Sequence, residues 1–308
     1  MTLTILYSAD GWNTWETPLR RALDATGLAY ELVTDAAPET VDYVVYAPSS
    51  GLHDFTPFTR AKAVLSLWAG VEKIVGNKTL TMPLTRMVDP GLTEGMTEWV
   101  TGHVLRHHLG MDAQIHGLKG AWRQDYPPLA RDRRVTVLGL GALGADAARA
   151  LAALNFDVAG WSRSPKEIAG ITTFTGEDGL EAALARAEIL VLLLPLTGGT
   201  ENLLNARRLA CLPRGAMIVN PGRGPLIDDE ALLAALDEGR VGHATLDVFR
   251  VEPLPRDHPF WLHPGVTVTP HIASETRPAT AATVIAENVR RGEAGEPFLH
   301  LVDRGQGY

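Results

Sequence analysis

Short apolar, β-branched runs recur along this chain, and stretches with the spacing of amphipathic helices lie between them. In the first third, residues 2–8, 30–34, 43–47 and 63–68 read as strands and residues 16–25 as a helix, with a polar, proline-containing connection at 35–40. From residue 93 the pattern becomes one long helix reaching 118, with Thr93 or Thr97 as its cap. A loop over 119–131 follows, carrying Trp122, Tyr126, Pro127 and Pro128. A second alternating series then sets in. Its strands are expected at 135–138, 156–161, 189–194, 216–220, 243–249 and 266–269, with a helix at 228–238, opened by Asp228, Asp229 and Glu230 and closed by Gly239, and another at 276–291. Strands that alternate with helices build parallel sheets covered on both faces.

The second series opens with the clearest chemical signal. A strand runs into Gly139-Leu140-Gly141-Ala142-Leu143-Gly144 and on into an alanine-rich helix, the order a dinucleotide crevice requires. Gly139 permits the tight turn, Gly141 clears the backbone for a pyrophosphate, and Gly144 lets helix and strand pack closely. The N–H groups at the helix start, at Ala142 and Leu143, face the phosphates where the helix dipole favours negative charge. The fold class is therefore α/β, with two doubly wound parallel-sheet domains. One placement of the last helix returns it to the first domain. On that placement a Rossmann cofactor domain (98–273) is inserted into a smaller, flavodoxin-like substrate domain (1–97 and 274–308).

Composition narrows the class without naming the chemistry. A formal net charge of −8 argues against a nucleic-acid binder, whose affinity comes from neutralising phosphates. Cys211 is the lone cysteine, which excludes an intrachain disulfide and suits a reducing, cytoplasmic setting. The opening residues lack the basic region of a secretory leader, and the longest apolar run, 189–196, is too short to span a membrane. His103 and His107 stand four apart on the long helix, but no third ligand accompanies them, so no metal is expected.

The end of the second strand of the cofactor domain bears on which dinucleotide binds. An acid there would accept hydrogen bonds from the ribose 2′-OH of NAD(H). The position falls on Ser162, followed by Arg163 and Ser164, so the repelling carboxylate is missing and a guanidinium stands ready for a 2′-phosphate. NADP(H) is preferred on this reading, with NAD(H) use possible. Three further turns carry ionisable residues, each after an expected strand: Arg223 in Asn220-Pro221-Gly222-Arg223-Gly224, Glu252 in Phe249-Arg250-Val251-Glu252-Pro253, and His271 in Thr269-Pro270-His271-Ile272-Ala273. Loops at the carboxyl ends of parallel strands converge on one crevice.

With these residues, and with the runs GLGALG, LLLPLT, VNPGRGPLID, LDVFRVEPLP and TPHIAS in this order, the chain resembles the D-isomer-specific 2-hydroxyacid dehydrogenases over nearly its whole length. Among them it is most similar to the bacterial glyoxylate/hydroxypyruvate reductases. The resemblance implies reduction of small 2-keto acids by hydride transfer. His271 would act as the acid, Glu252 would orient it, and Arg223 would clamp the substrate carboxylate and polarise the carbonyl. The turn at Trp68, Ala69 and Gly70 would offer further contacts to the substrate. It also implies that Leu194, Pro195, Thr200, Pro221, Gly222, Asp247 and Ala273 line the cofactor, Asp247 by holding the carboxamide. Where the family has a small or β-branched residue before its arginine loop, this chain has Pro221 and Gly222, which removes a backbone N–H from that wall. A homodimer is implied, pairing through 97–118 and 119–131. A broader 2-keto acid reductase and a dinucleotide-sensing, corepressor-like binding protein are the alternatives.

Overall fold

A computed structural model describes residues 2–117, 119–122 and 124–308. By its backbone contacts the chain divides into two compact units, one running up to Leu92 and resuming at Glu275–Tyr308, the other Thr93–Ser274.

The first unit holds a parallel five-stranded sheet of β1 (Leu3–Ser8), β2 (Tyr30–Val33), β3 (Tyr43–Tyr46), β4 (Ala63–Ser66) and β5 (Leu84–Thr85), in the order β2-β1-β3-β4-β5. Helix α1 (Trp12–Asp24) starts four residues ahead of the expected point, at Gly11, whose φ of 76° lets the chain turn directly out of β1. The middle strands β3 and β4 are buried along their whole length, as strands covered on both faces must be. β5 escaped the sequence reading because two residues carry no periodicity.

Helix α2 (Pro90–His108) also begins earlier than expected. Asp89, not Thr93 or Thr97, opens it: one carboxylate oxygen accepts from the N–H groups of Gly91 and Leu92 at 3.0 and 3.3 Å, and Pro90 takes the first helical position, where its missing N–H costs nothing. The long helix expected to reach 118 is broken at Gly110 (φ 62°), after which α3 (Met111–Ile115) is a single short turn. Leu118 itself lies outside the described residues.

The second unit is built on seven parallel strands: β6 (Arg134–Leu138), β7 (Asp157–Trp161), β8 (Thr172–Phe174), β9 (Ile189–Leu192), β10 (Ala216–Asn220), β11 (Val241–Leu246) and β12 (Val266–Val268). Their order is β12-β11-β10-β9-β6-β7-β8, so the winding reverses between β6 and β9. In such sheets ligands bind in the crevice at the carboxyl ends beside that reversal. Helices α4 (Ala142–Ala153), α5 (Gly176–Arg186), α6 (Ala206–Ala210) and α7 (Asp229–Asp237) cross between strands. Asp228 caps α7 by accepting from the N–H of Ala231 at 3.1 Å. The two faces of the sheet carry separate apolar clusters, one including Leu190, Leu192, Ile218, Leu232 and Leu246, the other Val100, Val104, Val135, Val137, Ala147 and Leu151. Finally α8 (Pro278–Ala294) returns to the first unit and packs Ala281, Ile285 and Val289 with Leu19 and Leu23 of α1.

Candidate active site

The ends of β10, β11 and β12 lie level, because Asn220 pairs with Leu246 and Leu246 with Val268. Each strand leaves the sheet at the same edge, so the turns bearing Arg223, Glu252 and His271 share that edge. The strand-end residues are tied in series. Asp247 N–H donates to the Asn220 carbonyl at 3.0 Å, Thr269 N–H to Leu246 at 2.9 Å, and His271 N–H to Asp247 at 2.8 Å.

His271 meets Glu252 directly, with Nδ1 2.7 Å from Oε2. An ionised carboxylate only accepts, so this contact places the hydrogen on Nδ1 and leaves Nε2 to face outward. No described residue bonds to Nε2. The other carboxylate oxygen of Glu252 accepts from Phe249 N–H at 2.9 Å, which fixes the carboxylate plane. The His271 backbone sits at φ 53°, a left-handed conformation rarely adopted by a side-chain-bearing residue. Such geometry persists only where its surroundings over-determine it, and it concentrates at functional sites.

Arg223 lies in a turn organised by Asn220, which the strand pattern alone assigns only to the end of β10. The buried Asn220 side chain accepts from Gly222 N–H at 3.1 Å and donates to the Arg223 carbonyl at 3.0 Å. Its signal was legible, since Asn ahead of Pro-Gly is a turn-forming residue that bonds its own backbone two residues on. Pro221 and Gly222 are buried, and Arg223 donates from Nη1 to the Gly222 carbonyl at 2.7 Å.

Asp247 is fully buried, with both carboxylate oxygens engaged by the chain itself. Oδ1 accepts from Thr269 Oγ1 at 2.6 Å and from Ile272 N–H at 2.9 Å, and Oδ2 from Ala273 N–H at 2.9 Å. Oδ2 therefore keeps capacity for one further donor.

The glycine turn follows β6. Gly139 has φ 104°, and its N–H donates to the Trp161 carbonyl at 2.8 Å. A Cβ at Gly144 would stand 1.8 Å from the Gly139 carbonyl oxygen, so only glycine lets α4 pack there. At Gly141, by contrast, a Cβ would meet nothing within 4 Å. That open space lies in front of the N-terminus of α4, where Gly141 provides no side-chain cap for the first N–H groups of Ala142, Leu143 and Gly144. Beyond β7, Ser162 is buried and its hydroxyl donates to the Ser164 carbonyl at 2.7 Å, while Arg163 and Ser164 are exposed. Leu194 is buried, and Thr200 spends its hydroxyl within its own loop, donating to Pro195 at 2.7 Å and accepting from Thr197 N–H at 2.8 Å.

The model of the D-isomer specific 2-hydroxyacid dehydrogenase NAD binding domain matches residues 101–273 of the chain. The chain belongs to this family. It is accordingly an oxidoreductase, and its second unit is the family's dinucleotide-binding fold. The glyoxylate/hydroxypyruvate reductase A of Serratia proteamaculans (strain 568) is 40% identical over 257 residues, covering 81% of this chain and 82% of that protein. Among solved structures, a D-isomer specific 2-hydroxyacid dehydrogenase from Xanthobacter autotrophicus Py2, in complex with NADPH and MES, superposes with a TM-score of 0.91 at 44% identity, covering 99% of both chains. The NADPH-dependent glyoxylate/hydroxypyruvate reductase of Sinorhizobium meliloti, in complex with NADP and sulfate, gives 0.84 at 36% identity, covering 99% of this chain and 100% of that one.

In the first unit the turn at Trp68, Ala69 and Gly70 leaves β4 at its carboxyl end. Ser66 Oγ accepts from Trp68 N–H at 3.1 Å, and Met87 N–H donates to the Trp68 carbonyl at 3.0 Å. The N–H groups of Ala69 and Gly70 bond to no other group among the described residues. In this dehydrogenase the long-helix histidines serve packing. His107 Nε2 lies 2.9 Å from Thr245 Oγ1, and burial, aided by the neighbouring His243, holds its pKa down at about 3. The His103 ring packs on Trp99 with centroids 4.2 Å apart.

Proposed function

We propose that this dehydrogenase reduces glyoxylate to glycolate and hydroxypyruvate to D-glycerate with NADPH, using His271 as the proton donor. The observation that carries the reading is the 2.7 Å pair between His271 Nδ1 and Glu252, which fixes one tautomer and leaves Nε2 to serve the substrate. The reduced dinucleotide, when bound, supplies the hydride that the keto carbon takes up. His271 Nε2 then gives the keto oxygen its proton and recovers one from solvent. Glu252 holds the ring through Nδ1 and so keeps Nε2 directed at the substrate. Arg223 clamps the substrate carboxylate and draws electron density from the carbonyl, the task its planar fork suits. In the first unit, Ala69 and Gly70, beside Trp68, carry N–H groups of the kind that bind a substrate carboxylate.

The residues present fit the cofactor. The open space at Gly141 and the uncapped N–H groups of Ala142, Leu143 and Gly144 suit a pyrophosphate. Arg163 and Ser164, exposed after β7, whose end carries Ser162 in place of an acid, receive a 2′-phosphate. Ser162, being buried, shapes that turn from beneath. Leu194, Pro195, Thr200, Pro221, Gly222 and Ala273 form the remaining wall, and the spare acceptor position on Asp247 Oδ2 takes the carboxamide. The protein acts in the cytoplasm, in keeping with its lone cysteine and with the absence, among the described residues, of a helix long and apolar enough to cross a membrane.

The second part of the reading is a homodimer. Past α2, Leu109, Met111, Ile115, Trp122, Tyr126 and Leu129 are exposed, Trp122 at 92% and Tyr126 at 82%. Apolar exposure of this extent in one stretch marks a partner surface. Leu118 and Arg123, which fall within the expected interface, lie outside the described residues. The experiment that tests the proposal is oxidation of NADPH and NADH by the purified protein with glyoxylate, hydroxypyruvate, pyruvate and phenylpyruvate. A specificity constant highest for NADPH with the two small acids supports it, and a preference for phenylpyruvate or for NADH contradicts it.

A further inference from the structure

We propose that Thr269 is a positioning residue for proton transfer: its hydroxyl fixes the Asp247 carboxylate, which holds the left-handed turn that presents His271 to Glu252. The inference rests on the reading of His271 as the acid.

Three observations lead there. First, the imidazole is about half exposed, and its one side-chain hydrogen bond runs to Glu252. Its direction is therefore set by the backbone from which it projects. Second, Asp247 holds that backbone at His271 and at the two residues after it, the His271 N–H being shared with the Thr269 carbonyl at 3.0 Å. Asp247 accepts the N–H of His271 on its carbonyl, the N–H of Ile272 on Oδ1 and the N–H of Ala273 on Oδ2. Third, the Asp247 carboxylate is fully buried, and among the described residues the hydroxyl of Thr269, 2.6 Å away, is its only side-chain donor. A buried carboxylate needs its hydrogen bonds, and this donor stands two residues before the imidazole it serves.

Glu252 is anchored independently, through Phe249 N–H at 2.9 Å. The 2.7 Å separation of Nδ1 and Oε2 is thus the distance between two separately fixed points. Without the Thr269 hydroxyl, Oδ1 keeps only the Ile272 N–H, the turn gains freedom to relax from φ 53°, and the imidazole swings away from its partner. The consequence falls on the chemical step, because the ring acts in the transition state and not in cofactor binding.

The test compares Thr269→Val, Thr269→Ala and Thr269→Ser with wild type and with His271→Ala. The Val and Ala variants are expected to lower kcat about ten- to a hundredfold, the scale of a small misplacement of a catalytic group. KM for hydroxypyruvate should stay within about threefold and the affinity for NADPH should fall by much less than kcat, and Thr269→Ser, which keeps the donor, should recover most of kcat. An independent readout is the His271 Nδ1–H proton in histidine NMR spectra, assigned by its loss in His271→Ala. It should be downfield and protected in wild type and Thr269→Ser, and weakened or exchanged away in Thr269→Ala. Wild-type kcat and an unchanged Nδ1–H signal in Thr269→Ala would overturn the proposal, as would a kcat loss that Thr269→Ser shares in full or that NADPH affinity matches. If His271→Ala itself turned over normally, the reading of the acid would fail instead, and the two failures are told apart by that variant.

Discussion

Arg223 and Arg163 are placed to do different work, one in a turn pinned by Asn220 and the other on an exposed loop after β7. Arg223→Lys should raise KM for hydroxypyruvate and lower kcat together, since a lysine cannot form the bidentate clamp. Steady-state kinetics showing an unchanged specificity constant would contradict a carboxylate role. Arg163→Ala should weaken NADPH binding about ten- to a hundredfold, the equivalent of a charge-assisted contact worth about 1.5–3 kcal/mol, while leaving NADH binding nearly as it was. Ser162→Asp should shift the preference further toward NADH. It also removes the buried donor to the Ser164 carbonyl, so a loss of about 1 kcal/mol in stability should accompany it. Fluorescence titration with both cofactors reads the first effect and chemical denaturation the second. At this scale the sequence displayed the ionisable residues more fully than their supports. Arg223, Glu252 and His271 announce themselves by type and turn setting and Asn220 by standing ahead of Pro221 and Gly222, whereas Thr269 looks like an ordinary strand end until the register of β11 and β12 brings those ends level.

Elements with many residues in one pattern were legible, and those decided by a single cap or a distant pairing were not. The β6 strand, glycine turn and α4 are contiguous, so their geometry is local and the sequence carries it. β5 and β8 exist because a neighbouring strand offers hydrogen bonds, which no local pattern records. Likewise α2 begins at Asp89 because a carboxylate and the proline after it satisfy its first turn, although Thr93 and Thr97 have the right side chains for a cap. The histidines at the far end of α2 give a pH dependence with a definite sign. His107 is buried against Thr245, with His243, Arg106, Asp112 and His103 around it, and its pKa falls from 6.5 to about 3. Below pH 6.5 the unfolded chain binds a proton there that the folded chain refuses, so stability is fully present above that pH and declines as pH falls toward 3. One full proton corresponds to a slope of about 1.4 kcal/mol per pH unit. The lowered pKa values of His103, His108 and His243, each depressed first by burial, steepen the loss in the same direction. His107→Gln, which keeps a partner for Thr245, should flatten urea-unfolding stability against pH between 6.5 and 4; an unchanged slope would show that His107 does not carry the proton.

At the scale of the whole molecule, light scattering at micromolar concentration should give twice the chain mass of 33.2 kDa, and Trp122→Ser with Tyr126→Ser should shift it toward one. A wild-type protein that scatters as a monomer would exclude the proposed partner surface. The fold class followed from alternating strands and helices because that alternation admits few solutions, and the glycine turn then chose among them. Substrate choice is of another kind, being settled by a few side chains and N–H groups whose arrangement no periodicity reports. The most direct test of the central claim is the single-turnover rate of NADPH oxidation with hydroxypyruvate, measured for wild type and His271→Ala with NADPH binding determined in parallel. The account predicts a rate lower by orders of magnitude in the variant and an affinity for NADPH within about threefold of wild type. A His271→Ala enzyme that oxidises NADPH at a near-normal rate, or a wild type inert toward hydroxypyruvate and glyoxylate alike, would contradict it.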